Sequence, residues 1–212
     1  MRLLLGTFTT VLVIASVDLV KAQEANSTDY VRLDENEEIR LARSAAPDVV
    51  SAEAAIWVLR DNGYEIAIQG TNENECFVAR SMPMSLEPVC YDAEAAATIL
   101  PWEFRYFELR TGGKSSEERE RILAEFIGSG ELPMPKRPAM SYMMSSAQRL
   151  YDSESGRSAG NWKPHLMLYI PYLTDKDMGL MESTPTLQVA RSGTPVAYLV
   201  IVVPEFVDPK PE

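Results

Sequence analysis

The sequence predicts an α+β fold: a mostly antiparallel sheet with a helical pair inserted mid-chain and one disulfide. Three observations carry this. Short apolar segments of strand character lie on both sides of the chain's middle. The helix-forming segments cluster between them instead of alternating with strands, as a βαβ fold would require. The chain holds two cysteines, Cys76 and Cys90, both in strand-like segments.

The first 22 residues read as a secretory signal. Arg2 precedes the apolar run Leu3 to Val17, which is shorter than the roughly 20 residues needed to span a bilayer. Asp18 closes it, and Val20-Lys21-Ala22 sets small residues where a signal peptidase reads, so cleavage is expected between Ala22 and Gln23. Gln23 also occupies the position where a lipid-anchored protein needs cysteine. Residues 23–46 form a polar leader with a short helix, 47–204 a single domain, and 205–212, acidic and rich in proline, a disordered tail.

Glu37 and Glu38 ahead of Arg40 and Arg43 suit a short helix ending before Pro47. Ala55 to Leu59 has β-branched and aromatic content, Asp61-Asn62-Gly63 is a hairpin turn, and Tyr64, Ile66 and Ile68 alternate with less apolar neighbours. A third strand, Cys76 to Ala79, would continue a meander. An oxidising compartment then makes a Cys76–Cys90 disulfide the simplest state. Closing a loop of about 15 residues is worth roughly 3 kcal/mol on chain-entropy grounds. Asp92 caps a helix from Ala93 that Pro101 breaks or restarts and Gly112-Gly113 ends. Ser115 and Glu118 form a capping box for a second helix, with Gly128 as its stop. Ala139 to Met144 is a strand, and Ser145 to Lys163 a long loop or hairpin tip. His165 to Ile170, apolar on both faces, is a central strand. Leu187 to Ala190 and Val196 to Val203 close the domain as a hairpin.

A net charge of −11 with no basic patch excludes nucleic acid and anionic membrane surfaces as partners. Gly156-Arg157-Ser158-Ala159-Gly160 has the spelling of a nucleophile elbow, but neither a strand before it nor a helix after it. Gly113-Lys114-Ser115 lacks the first glycine of a phosphate loop. Asp175 and Asp177 lack the bidentate glutamate of a calcium loop. The single histidine, His165, cannot alone make a zinc site. It is the candidate general base, with Tyr142 or Ser145 as its partner. Ten methionines, among them the closely spaced Met82 and Met84, Met140, Met143 and Met144, Met167 beside His165, and Met178 and Met181, offer soft ligands for copper(I) but also fill core gaps. No metal site and no cofactor is expected.

Tyr142-Met143, the run Pro164 to Tyr169 with Pro171, Asp177-x-Gly179 and the closing Leu199 to Pro204 resemble a family of exported bacterial proteins of unknown function. Gly63-Tyr64, Gly70-Thr71-Asn72, Cys76 and Cys90 are similar too, so the resemblance spans about residues 45–204. Glu73-Asn74-Glu75 departs from it in being more polar. The resemblance implies a bacterial origin and a periplasmic or secreted location, and it brings no activity. The leading expectation is a non-catalytic binding module of the envelope, with a protein or small-molecule partner and no transmembrane segment in the mature chain. The alternatives are a hydrolase centred on His165 and a periplasmic copper binder.

Overall fold

A computed structural model describes residues 30–152, 156–180 and 187–211. The signal segment and the cleavage position at Ala22 and Gln23 lie outside the described residues. The fold is α+β, as the sequence predicts, with an eight-stranded sheet between helices on its two faces.

Helix α1 (Glu35–Arg43) starts where the Asp34 carboxylate accepts the Asn36 N–H at 3.0 Å. Acids fill its first turn and Arg40 and Arg43 its last, matching the helix dipole. One turn of helix, α2 (Asp48–Ser51), follows Pro47. Strands β1 (Ala55–Arg60) and β2 (Gly63–Ile68) form the expected hairpin, but the third strand does not continue a meander. Instead β3 (Glu75–Ala79) lies parallel to β1, on the side away from β2. The chain must therefore cross the end of β1, and the polar loop 70–74 is built for that crossing. A Cβ on Gly70 would collide with the backbone of Ala54 and Ala55, so only glycine passes there. The backbone N–H groups of Thr71 and Asn72 donate to Glu53 O, and both the Asn72 and Asn74 side chains donate to Val50 O. Period-two patterning shows the strands but not this tertiary anchoring.

Strand β4 (Glu87–Tyr91) pairs antiparallel with β3 and places Cys90 directly opposite Cys76, where the disulfide forms. Helix α3 (Ala93–Thr111) is capped by Asp92 and runs through Pro101 as one helix. Helix α4 (Ser116–Ser129) has the predicted capping box. It passes Gly128 and stops at Gly130, whose φ of 81° is the left-handed cap that glycine supplies without strain. Strands β5 (Ala139–Met143), β8 (His165–Tyr169), β10 (Tyr198–Val202) and β9 (Leu187–Ala190) extend the sheet in that spatial order. Between β5 and β8 the small ribbon β6 (Leu150–Tyr151) and β7 (Ser158–Gly160) stands apart.

Helix α3 packs on β2, β4 and β5 over a core that includes Phe77, Ile99, Trp102 and Met167. Helix α1 covers β1, β3 and β4 on the other face, with Leu41, Ile56, Val78 and the disulfide buried beneath it. Residues ahead of position 47, among them Tyr30, Leu41 and Ala45, are thus buried in this packing. The tail, expected to be disordered, runs back beside β5: Val207 N–H donates to Met144 O at 2.8 Å, and Ser146 N–H to Val207 O at 3.0 Å. Backbone pairing offsets its low hydrophobicity.

A buried ion pair joins the layers. Arg80 and Glu38, each 1% exposed, meet through two parallel contacts of 3.0 Å. Arg80 also donates to Val31 O and Val78 O, both at 2.8 Å, and Glu38 accepts the Leu59 N–H at 3.0 Å. Glu38→Gln leaves a buried guanidinium uncompensated. It should cost about 3–5 kcal/mol in urea denaturation, and a loss below about 1 kcal/mol would show that the pair is solvated.

Candidate functional site

The strands present alternate residues to the α3 face. These include Glu87, Val89 and Tyr91 from β4, Met143 from β5, and His165, Met167 and Tyr169 from β8. Tyr198, Val200 and Val202 of β10 share their face. Helix α3 lies over only part of this surface. Two cavities result, one of about 190 Å³ beneath α3 and one of about 440 Å³ beyond it. They share Glu87, Met143, Met167 and Tyr198, and so form two ends of one cleft.

The inner end is aromatic. Ring centroids run Tyr64–Phe77 at 5.0 Å, Phe77–Tyr91 at 6.1 Å, Tyr91–Tyr169 at 6.5 Å and Tyr169–Tyr198 at 5.3 Å. Burial raises the phenol pKa of Tyr64 to about 12 and lifts those of Tyr91 and Tyr169 as well, so all three stay neutral at physiological pH. Into this end project two carboxylates, Glu87 and Glu103. Burial raises the Glu87 pKa against the opposing effect of Ser81, whose N–H (2.9 Å) and hydroxyl both donate to it. Glu103 makes no hydrogen bond or ion pair among the described residues. Burial raises its pKa to about 7, and the nearby positive charges of Arg191 and Arg110 only partly oppose this.

Both arginines are engaged elsewhere. Arg110 donates to Arg80 O and to Ser81 O (2.7 Å) and lies against the rings of Tyr30, Tyr106 and Phe107. Arg191 stacks 4.6 Å from the Trp102 ring and pairs with Glu120 at 2.6 Å. The site thus holds a half-buried carboxylate beside aromatic rings, with no cation in hydrogen-bond contact among the described residues.

At the outer end His165 is 7% exposed. Its Nδ1 lies 2.7 Å from Lys163 O, and a carbonyl can only accept, so Nδ1 carries the proton and Nε2 is the free acceptor. Burial lowers its pKa and keeps it neutral. No hydroxyl or carboxylate hydrogen-bonds to it among the described residues. Tyr142 follows the opposite alternation and packs in the α1 layer. Ser145 is buried beyond β5, its Oγ 2.6 Å from Ser44 Oγ. The three candidates are therefore not brought together.

Ser158 lies on the exposed ribbon β7, and Gly113-Lys114-Ser115 forms the α3–α4 turn. Asp177 bonds to the N–H and hydroxyl of Thr174, contacts that hold its pKa below the usual range. Met143 and Met167 line the cleft with His165, whereas Met84 and Met178 are exposed elsewhere. Met181 lies outside the described residues. Among the described residues no group of three His, Cys, Asp or Glu could hold a metal ion, and no helix is long and apolar enough to cross a membrane.

Sequence reasoning missed Glu103 and Glu87, although both carried a signal. Glu103 stands four residues from Ile99 and four from Phe107, on the apolar stripe of its helix. Glu87 shares its alternation with Val89 and Tyr91. Compared with known proteins, the chain matches no family model, no curated protein and no solved structure.

The raised Glu103 pKa makes stability depend on pH. Between the ordinary value of 4.5 and about 7 the folded chain binds more protons than the unfolded one. Stability therefore falls as pH rises through that window, and the penalty is complete above it. Glu103→Gln should match the parent at pH 4 and exceed it at pH 8, by on the order of 2 kcal/mol in urea titrations. Equal stabilities at both pH values would mean that the carboxylate is hydrated.

Proposed function

We propose that this chain is a non-catalytic binding module of the bacterial envelope, and that the cleft takes a small ligand with an ammonium group and an apolar body. The observation that carries this reading is the Glu103 carboxylate, which lines the cleft with tyrosine rings and has no side-chain partner among the described residues. Aromatic faces attract cations through their quadrupole, and the attraction grows where water is excluded. A carboxylate beside them supplies the charge-assisted hydrogen bond that an N–H donor seeks. Met143, Met167, Val200 and Val202 continue outward from this polar end and offer an apolar floor for the rest of the ligand. His165, with Nε2 as an acceptor, can receive one further donor there.

Binding is favoured over hydrolysis because no nucleophile meets His165 among the described residues. An exported location is supported by the signal-like first 22 residues, by the disulfide and by the family resemblance.

Octylamine is a suitable probe, with octanol as the uncharged control, followed by calorimetry on the full chain. Octylamine should bind saturably and at least tenfold tighter than octanol at pH 8. Its affinity should fall as pH is lowered from 8 to 6, because a proton on Glu103 competes with the ammonium. Glu103→Gln should abolish both the preference and the pH dependence. Equal affinity for amine and alcohol, or an unaffected variant, would refute the proposal.

A further inference from the structure

A second cavity, of about 420 Å³, lies on the opposite side of the sheet, between α1, α2 and the returning tail. Its walls include Ile39, Arg40 and Arg43 from α1, Asp48 from α2, and Val207 and Lys210 from the tail. The tail is fixed over it by the backbone bonds of Val207 and by an ion pair between Lys210 Nζ and the Asp48 carboxylate. Asp208, also in the wall, accepts the Ser146 hydroxyl. Both acids of the cavity are therefore engaged.

The two arginines are not. Arg40 and Arg43, three residues apart on one helix face, make no side-chain hydrogen bond or ion pair among the described residues. Arg43 Nε is buried without a partner. The chain has 31 acidic residues against 20 basic ones, so chance pairing favours every arginine finding a carboxylate. A position in the last turn of α1 explains a positive charge, through the helix dipole. It does not explain why both guanidiniums lack a carboxylate partner among the described residues, nor why the Arg43 Nε, like those of Arg110, Arg119 and Arg191, is buried without an acceptor.

We infer that this cavity binds a small organic oxyanion, a carboxylate or phosphate group gripped by Arg40 and Arg43. Guanidinium groups present planar, paired donors that match either group. The cavity falls within the size range of small-molecule sites and is larger than a bare ion requires, so the anion carries an organic body. Ile39, Ala52 and Val207 supply apolar wall for it. Asp48 and Asp208 limit the ligand to one anionic group, since a second would face a carboxylate.

Hexanoate and hexyl phosphate test this on the full chain by calorimetry, with hexanol as control. At least one of the two anions should saturate the parent chain, and which one does identifies the source of the oxyanion. Its affinity should drop at least tenfold in Arg40→Gln and again in Arg43→Gln, while octylamine binding in the cleft stays unchanged. Arg43→Lys keeps the charge but loses the Nε donor, and should fall between the parent and Arg43→Gln. Amide shifts induced by the anion should centre on α1 and Val207. If neither anion saturates, or if binding survives in both glutamine variants, the inference is overturned.

Discussion

The buried contact between Arg80 and Glu38 is the constraint on which the rest of the structure depends. Its guanidinium reaches across to α1, while Glu38 turns back to hold the Leu59 N–H at the far end of β1. The carbonyl of the same Arg80 accepts from Arg110 on α3, on the opposite face of the sheet. The pair thus ties together both helical layers and the strands β1 and β3. Such a pair is costly to desolvate, and it is tolerated because nearly every donor and acceptor in it is satisfied. Arg110 is the last basic residue of α3, so anchoring it fixes where Glu103 and Tyr106, up to two turns earlier, stand over the sheet.

The cleft follows from the same arrangement. Eight strands at about 4.8 Å spacing make a sheet roughly 34 Å wide, and a single helix is about 10 Å across. Helix α3 makes its main sheet contacts with β2, β4 and β5, and the cavity lined by His165, Val200 and Val202 of β8 and β10 lies beyond it. Burial beside this opening raises the Glu103 pKa, because Arg110 and Arg191 are held by carbonyls, rings and Glu120. A carboxylate with a raised pKa facing a cavity is what supports the proposed binding role.

Much of the fold was legible in the sequence. β-Branched content, the Asp61-Asn62-Gly63 turn and alternation located the β1–β2 hairpin, two short apolar segments around Gly193 the β9–β10 hairpin, the apolar run at 165–170 marked a strand interior to the sheet, and Asp92 and Ser115 marked helix starts. The cysteine pair stands opposed in β3 and β4. What local pattern could not show was tertiary. The parallel placement of β3 depends on asparagines bonding to Val50 O and on a close approach at Gly70. Pro101 and Gly128 are locally unfavourable to helix, yet packing against the sheet carries both helices through them. The tail looked unstructured because backbone pairing leaves no trace in composition. For the site, the unique histidine drew attention and does line the cleft, but its imagined partners fall elsewhere because Tyr142 alternates to the other face. Glu103 was overlooked as one acid among many, although its place on an apolar helix stripe distinguished it.

Glu103 presents a half-buried carboxylate that has no side-chain partner among the described residues and is therefore available to a cation. Carbon-detected NMR titration of its carboxyl group measures this directly, first in the free chain and then with octylamine. Titration near 7 in the free protein and a marked fall when the amine is bound are the expected results. Titration at the ordinary glutamate value of 4.5, unchanged by the amine, would contradict this reading.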